Sequence, residues 1–266
     1  MLEALLAGLA GLLIGSFLNV CIYRMPRDLS VVRPRSHCPG CEKQIDWYDN
    51  IPVLSYLMLG GRCRHCRERI PLRYPVVELA TGAAFALCVA NLGPTWPAVK
   101  FSMLSAILIA LVATDLEERI LPDEFTLGGT VLGIALSGVV PLDPGIATFL
   151  LWGTLGARWS SVVESLTGAL VASGLIWGFA AVYGRIRKRE VLGLGDVKMI
   201  AMLGAFLGLE EALLILCLAG FVGSVVGVIY IVAAKKDWST YELPYGSFIG
   251  AVGLAIALWA HVLKAH

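Results

Sequence analysis

The sequence predicts an all-α, polytopic membrane bundle of about eight spans with one small polar insert on the cytoplasmic side. Three observations carry this prediction. Hydrophobic residues make up 58% of the 266-residue chain and charged residues only 15%, whereas a soluble domain carries about 25% charged residues. The mean hydropathy is +0.77, and the apolar residues are gathered into separate blocks near the ~20 residues that cross a ~30 Å hydrocarbon core. Lys and Arg, finally, are distributed unequally among the segments between those blocks.

The blocks run in order. The first covers 2–23; it lacks a basic leading region, and GSFLNV continues without a small-residue cleavage site, so it predicts a span rather than a signal peptide. A polar insert follows at 24–73. The remainder, 74–266, predicts a transmembrane bundle with apolar blocks at 74–92, 98–114, 125–141, 162–183, 211–233 and 243–263. Between Asp196 and Glu210 lies the shorter stretch VKMIAMLGAFLGL. It crosses only if Gly195 and Asp196 sit at the membrane boundary or the bilayer thins locally. The 29 glycines suit close packing of helices in lipid.

Orientation follows from the basic residues. With the amino terminus outside, the inner segments 24–73, 116–124, 184–197 and 234–242 hold 17 of the 21 Lys and Arg, the asymmetry of the positive-inside rule. Lys100, Arg158 and Lys264 fall outside, and Lys198 at the inner edge. A net charge of +1 gives no reason to expect a nucleic-acid partner.

An insert of about 50 residues is too small to build a large core alone. It carries two CxxC knuckles, Cys38-Pro-Gly-Cys41 and Cys63-Arg-His-Cys66, separated by 21 residues. Two thiolates from each tight turn make the four-sulfur tetrahedron of a closed structural zinc site, with no open position for catalysis. Pro39-Gly40 supplies the turn chemistry, and a reducing cytosol disfavours the alternative, a pair of disulfides. His37 and His65 are adjacent spare ligands. Cys21, Cys88 and Cys217 fall in apolar blocks and predict small core residues. Trp47, Tyr48 and Tyr56 suit either a small insert core or the membrane interface.

Two aspartates fall at the cytoplasmic boundary. Asp115 ends the third block in LVATDLEERILPD, and Asp196 sits in GLGDVKM before the short one. Alone, Asp196 reads as an N-cap of the next helix. Gly193 and Gly195, however, permit close approach of a neighbouring helix or a substrate strand. If the two helices pack together, two carboxylates meet at one depth and share a proton, one acting as base on water and the other polarising a peptide carbonyl. No serine, cysteine or metal alternative stands out. Asp123 is a third carboxylate, suited to capping. Lys198 either lowers a nearby carboxylate's pKa or snorkels to headgroups. Glu117, Glu118 and Glu124 make the second inner loop acidic, either to attract a basic segment or simply as a solvated loop. Two other classes fit some of these features: a transporter, although both aspartates lie at one face rather than the midplane, and a metal-stapled scaffold with capping aspartates.

GLGD at 193–196 resembles the GxGD signature of intramembrane aspartyl proteases, and with DLEERILPD at 115–123 it resembles the prepilin peptidase family. GSFLNVCIYRMPR at 15–27, the two knuckles, IPLRYPVVELATG at 70–82 and LPYGSFIG at 243–250 are similar to that family's other motifs. The resemblance runs from about residue 15 to 250. It implies that Asp115 and Asp196 are the catalytic pair of a multi-pass inner-membrane peptidase. The implied substrates are type IV prepilins or pseudopilins with a short basic leader, a Gly before the cut and a hydrophobic helix after it. It further implies N-methylation of the new amino terminus from S-adenosylmethionine. No Gly-rich nucleotide loop marks a methyl-donor site. The candidates are polar groups near the insert, Asn19, Arg24 and Glu78, the last a membrane carboxylate that could equally pair with Arg73 or Lys198.

Overall fold

The computed structural model describes residues 1–150, 156–187, 193–233 and 243–263, which are largely helical and contain no strand. In chain order the helices are α1 (Leu2–Arg24), α2 (Leu54–Met58), α3 (Arg73–Leu92), α4 (Trp96–Glu118), α5 (Asp123–Ser137), α6 (Ile146–Leu150), α7 (Ala157–Arg187), α8 (Leu194–Leu207), α9 (Leu209–Ala233) and α10 (Tyr245–Ile256). From α10 the chain runs on as a π-helical stretch, Ala257–Leu263. The expected inner segment 234–242, residues 188–192 of the segment 184–197, and Lys264 lie outside the described residues.

Among the described residues, five helices are long and apolar enough to cross a membrane: α1, α3, α4, α7 and α9. The chain is thus a multi-pass, all-helical membrane protein. The three other expected spans correspond to α5, α8 and α10, which have 15, 14 and 12 residues. At 1.5 Å per residue α5 and α8 cover only about 22 and 21 Å, less than the ~30 Å hydrocarbon core, whereas α10 continues directly into the π-helical stretch.

The chain divides into two compact units. The first is Met1–Thr114 with the terminal segment from Leu258. Its frame is the pairing of α1 with α3. Lipid offers no hydrophobic drive for helices to associate, so contact depends on close van der Waals packing. A β-carbon on Gly11 would stand 2.8 Å from the Thr81 carbonyl oxygen, and one on Gly15 would stand 2.7 Å from Glu78 Cα. Only glycine allows the two backbones to come so near. The outer flank of α1 is a run of exposed Leu2, Leu5, Leu6, Leu9, Leu13 and Phe17, as a lipid-facing surface requires.

The second unit is Asp115–Ala257. Its centre is α8, which packs against α5, α7, α9 and α10 and is buried from Met199 to Leu207. Where α7 meets α8, a β-carbon on Gly168 or Gly204 would collide with the other helix's backbone. Ser165 Oγ donates to the Ala205 carbonyl across the same contact at 2.7 Å, and Ser161 Oγ donates to the Ser137 carbonyl of α5 at 2.8 Å. α8 and α9 are separated by Gly208 alone, whose φ of 95° is open to glycine and strained for other residues. Glu164, a carboxylate of α7 to which the sequence pattern assigns no role, is 2% exposed. It accepts from Thr148 N at 3.0 Å and Thr148 Oγ1 at 3.2 Å, and so caps the short α6.

Two glycine substitutions separate packing from propensity. Gly204→Val should destabilise the protein by at least about 1–3 kcal/mol through overpacking. Gly128→Ala should be neutral or stabilising, because a β-carbon there meets nothing within 4 Å and glycine in a helix costs about 0.5–1 kcal/mol relative to alanine. Thermal unfolding of the detergent-solubilised variants measures both.

Candidate functional site

Chemistry-bearing residues gather in two places, one in each unit. In the insert, each CxxC closes a small turn held by the same two backbone hydrogen bonds. Cys38 N donates to Lys43 O at 2.9 Å and Glu42 N to Cys38 O at 2.8 Å; Cys63 N donates to Glu68 O at 2.8 Å and Arg67 N to Cys63 O at 3.1 Å. The residue after each knuckle, Glu42 and Arg67, has φ of 57° and 62°, the left-handed conformation that brings the chain back on itself. The four sulfurs lie within 4.8 Å of one another, and Cys38 Sγ is 3.6 Å from Cys66 Sγ. Zinc–sulfur bonds of ~2.3 Å in a tetrahedron place sulfurs about 3.8 Å apart, so the set fits one metal ion. None of the four is in a disulfide. The Cys66 and His65 backbone N–H groups pull the Cys63 thiol down to about 6, whereas burial pushes Cys38 up. His37 and His65 do not join the cluster. Arg64 clamps Asp49 with hydrogen bonds of 2.7 and 2.5 Å and holds its carboxyl below the usual range. This ties the second knuckle to the middle of the insert. Trp47 and Tyr48 are exposed at 73% and 46%, which favours the interface role over a core role.

The second place is built from three helix ends. Asp115 stands in the last turn of α4, 5% exposed. Asp196 stands in the first turn of α8. It is the third helical residue rather than the N-cap; that position is Gly193, in extended conformation. Gly246, in the first turn of α10, lies between the two carboxyl groups. A β-carbon there would stand 3.1 Å from Asp196 Oδ1, 3.2 Å from Asp115 Cγ and 2.9 Å from Leu121 Cδ1. The carboxyl groups are therefore no further apart than the first two distances together. Ser247 donates to Asp115 Oδ2 through its backbone N–H at 2.5 Å and its hydroxyl at 2.6 Å. Gly195, beside Asp196, faces the side chain of Leu121. Asp123 opens α5 and makes no side-chain cap. Its carboxylate instead receives Lys198 Nζ at 2.6 and 2.8 Å, so the carboxylate that Lys198 meets is Asp123.

The three candidates for a methyl donor lie in the first unit, on α1 and α3. Arg24 donates to the carbonyls of Ser30 and Pro34 at 2.9 and 2.8 Å. Asn19 donates to Gly15 O and Tyr74 O at 3.3 and 3.0 Å, and its Oδ1 is buried without a hydrogen-bond partner among the described residues. Glu78 accepts from Val53 N at 2.7 Å rather than from Arg73 or Lys198. Val53 has φ of 60°, an outlier for a β-branched residue, and this hydrogen bond helps hold it there. Of the three candidates, Arg24 lines a cavity of about 330 Å³, together with Ser16, Arg35, Ser36 and Asn50 among others; Asn19 and Glu78 do not. Cys21 and Cys88 are buried as expected, but Cys217 is exposed on α9, where lipid rather than protein covers an apolar thiol.

Comparison with known proteins gives the family. The bacterial peptidase A24 N-terminal domain matches residues 9–92, and the type IV leader peptidase family matches residues 102–228. A protein of Burkholderia pseudomallei, named prepilin leader peptidase/N-methyltransferase, is 34% identical over 272 residues, covering 92% of this chain and 82% of its own length. The chain belongs to the type IV leader peptidase family. An Escherichia coli relative, named type 4 prepilin-like proteins leader peptide-processing enzyme, is 36% identical over 94% of this chain and 91% of its own. A Myxococcus xanthus relative, also named prepilin leader peptidase/N-methyltransferase, is 39% identical over 85% of this chain, which spans 62% of that protein. No solved structure matches. The peptidase thus carries Asp115 and Asp196 inside the family match, whereas Gly246 and Ser247 lie beyond it. Sequence reasoning passed over both. The LPYGSFIG motif marked the segment without assigning it a task, because only folding brings residue 246 beside 115 and 196.

The four thiols should bind metal as one set. Purified protein should contain about one zinc per chain by elemental analysis. The Cys38→Ser, Cys66→Ser double variant should lose it, along with protection of the insert from proteolysis, because a closed zinc site contributes folding free energy directly.

Proposed function

We propose that this peptidase is an aspartyl endopeptidase that removes the short basic leader from type IV prepilins or pseudopilins at the cytoplasmic face of the inner membrane. The observation that carries the proposal is the approach of Asp115 and Asp196 on either side of Gly246. Two carboxyl groups this close do not ionise together readily. The pair holds one proton, which lets one member activate water while the other donates to the scissile carbonyl. Gly246 leaves the space beside them free of side chain, so an extended peptide can lie against the pair. Glu117 and Glu124, exposed on either side of the α4–α5 turn, offer negative charge to a basic leader. The distribution of Lys and Arg supports an inside location for this end of the helices.

The test is direct. Asp115→Asn and Asp196→Asn each keep side-chain volume but cannot supply an ionised base. Each should lower cleavage of a prepilin by at least about 10²–10⁴-fold, with expression and zinc content unchanged. The double variant should be no worse than either single one, as for residues acting as a unit. Mass spectrometry of the substrate's amino terminus after incubation with solubilised enzyme gives the result. Substantial cleavage by either single variant would remove the pair from the mechanism.

Methylation of the new amino terminus belongs, in the same proposal, to the first unit. S-adenosylmethionine carries a carboxylate and several hydrogen-bonding groups. Arg35 and the Arg24 side chain, which holds the Ser30 and Pro34 carbonyls, line the cavity and suit the carboxylate of such a ligand, and the unpartnered Asn19 Oδ1 stands on the same helix as Arg24. Bound there, it would supply the methyl group, with zinc serving only to hold the insert together. Arg24→Ala should reduce methyl transfer to a pre-cleaved substrate several-fold more than it reduces cleavage. Incorporation of labelled methyl and leader release, measured on one preparation, check this. Equal loss of both would assign Arg24 to structure alone.

A further inference from the structure

We infer that Ser247 divides the roles within the aspartate pair, holding Asp115 as the ionised base and leaving Asp196 as the protonated partner. The inference rests on the aspartyl mechanism proposed above and deepens it.

The argument begins with α10. The first N–H groups of a helix have no partner within it, and that end of the helix carries partial positive charge. Ser247 is the third residue of α10. Its N–H and its hydroxyl both reach a single oxygen, Asp115 Oδ2, at 2.5 and 2.6 Å. Asp115 and Ser247 are 5% and 6% exposed, so water contributes little and the two donors dominate. Donors aimed at a carboxylate favour its charged form. Among the described residues, the Asp196 carboxyl accepts no such pair of donors; its own N–H donates to the Gly193 carbonyl at 3.1 Å at the start of α8. The first turn of α10 approaches both carboxyl groups at Gly246, but its N–H and hydroxyl donors at Ser247 are directed at Asp115. Other titratable groups near the pair among the described residues include Tyr245 on α10, whose hydroxyl donates to Leu216 O at 3.4 Å, and the Lys198–Asp123 ion pair at the starts of α8 and α5.

The chemistry then has a direction. With Oδ2 occupied by Ser247, Asp115 Oδ1 takes a proton from water. The water oxygen bonds to the scissile carbonyl carbon as the carbonyl oxygen takes the proton of Asp196. On collapse the amide nitrogen takes the proton held by Asp115, the C–N bond breaks, and one hydroxyl of the gem-diol returns its proton to Asp196. Both carboxyl groups end in the state in which they began.

Ser247 acts through Asp115 and is a positioning residue, so the test needs more than a rate. Ser247→Ala removes the hydroxyl and keeps the N–H; Ser247→Thr keeps both. Cleavage of a prepilin is followed across pH for the wild type, both variants and Asp115→Asn. A hydrogen bond to a charged group is worth enough to change a rate by about 10–100-fold. Ser247→Ala should therefore lower kcat by about tenfold or more, with KM changed less than about twofold. The acid limb of its pH–rate profile should move to higher pH by about one unit, the same free energy seen as protonation. Ser247→Thr should restore both. Wild-type kcat and an unmoved acid limb in Ser247→Ala, with Asp115→Asn inactive, would overturn the inference and leave the aspartyl mechanism standing. So would a loss of kcat with the acid limb unmoved, which is the mark of packing alone. Activity in Asp115→Asn would overturn the mechanism itself.

Discussion

The central constraint in the second unit is the length of α8. Fourteen residues reach about 21 Å, too little to present a complete apolar cylinder to lipid from one side of the bilayer to the other. Such a helix is stable in a membrane only where protein surrounds it, because no unsatisfied backbone group can face hydrocarbon. The neighbours α5, α7, α9 and α10 provide that cover. Their approach depends on positions without side chains, Gly168 against Gly204 in particular. The single residue between α8 and α9 belongs to the same arrangement: Gly208 adopts φ of 95° and ends one helix so that the next starts at once.

A short, enclosed α8 also explains where the carboxylates stand. Charge at the centre of a bilayer costs at least about 2.5–3.5 kcal/mol, even on the mildest scales. Asp196 sits instead in the first turn of its helix, and Asp115 in the last turn of α4. There the first turn of α10 supplies donors in place of water. Low polarity and fixed donors together are the conditions under which a carboxyl pair divides into acid and base. The nearby Lys198–Asp123 pair shows the alternative use of the same residue types. It is more exposed, at 32% and 57% of the side chains, and it ties two helix starts together. Exposed pairs of this kind contribute little to stability, about 0–1 kcal/mol.

The first unit solves a different problem. Its insert has too few apolar residues for a core of its own, and Trp47, Leu57 and Met58 remain exposed. Four thiols at one point replace the missing core. The insert is then attached to the membrane helices by polar ties: Glu78 of α3 accepts the Val53 N–H, and Arg24 of α1 holds the carbonyls of Ser30 and Pro34. These ties account for most of what Arg24 and Glu78 do in the described structure. The unpartnered Asn19 Oδ1 is the exception, a buried acceptor that no protein donor reaches.

Helix content, membrane class and the metal set were legible in the sequence because each depends on local pattern. Apolar blocks of span length, an asymmetry of basic residues and two CxxC turns require no knowledge of which helix touches which. The two aspartates that the fold brings together were legible too as candidates, through the motifs around residues 115 and 196. The lengths of α5, α8 and α10 were less so, since an apolar run does not show whether lipid or protein will cover it. The same holds for the partner of Lys198: Asp123 lies 75 residues away, and sequence offers no measure of that separation in space. Glu164 likewise gains its role only where α6 folds against it, which no local pattern marks. By itself, then, the sequence determined the class of the protein and the residue types of its chemistry, because periodicity and spacing are properties of a single segment. Only the tertiary structure decided that Gly246 lies against both carboxyl groups and that Ser247 donates to Asp115, because both depend on three helix ends, distant along the chain, meeting at one buried point.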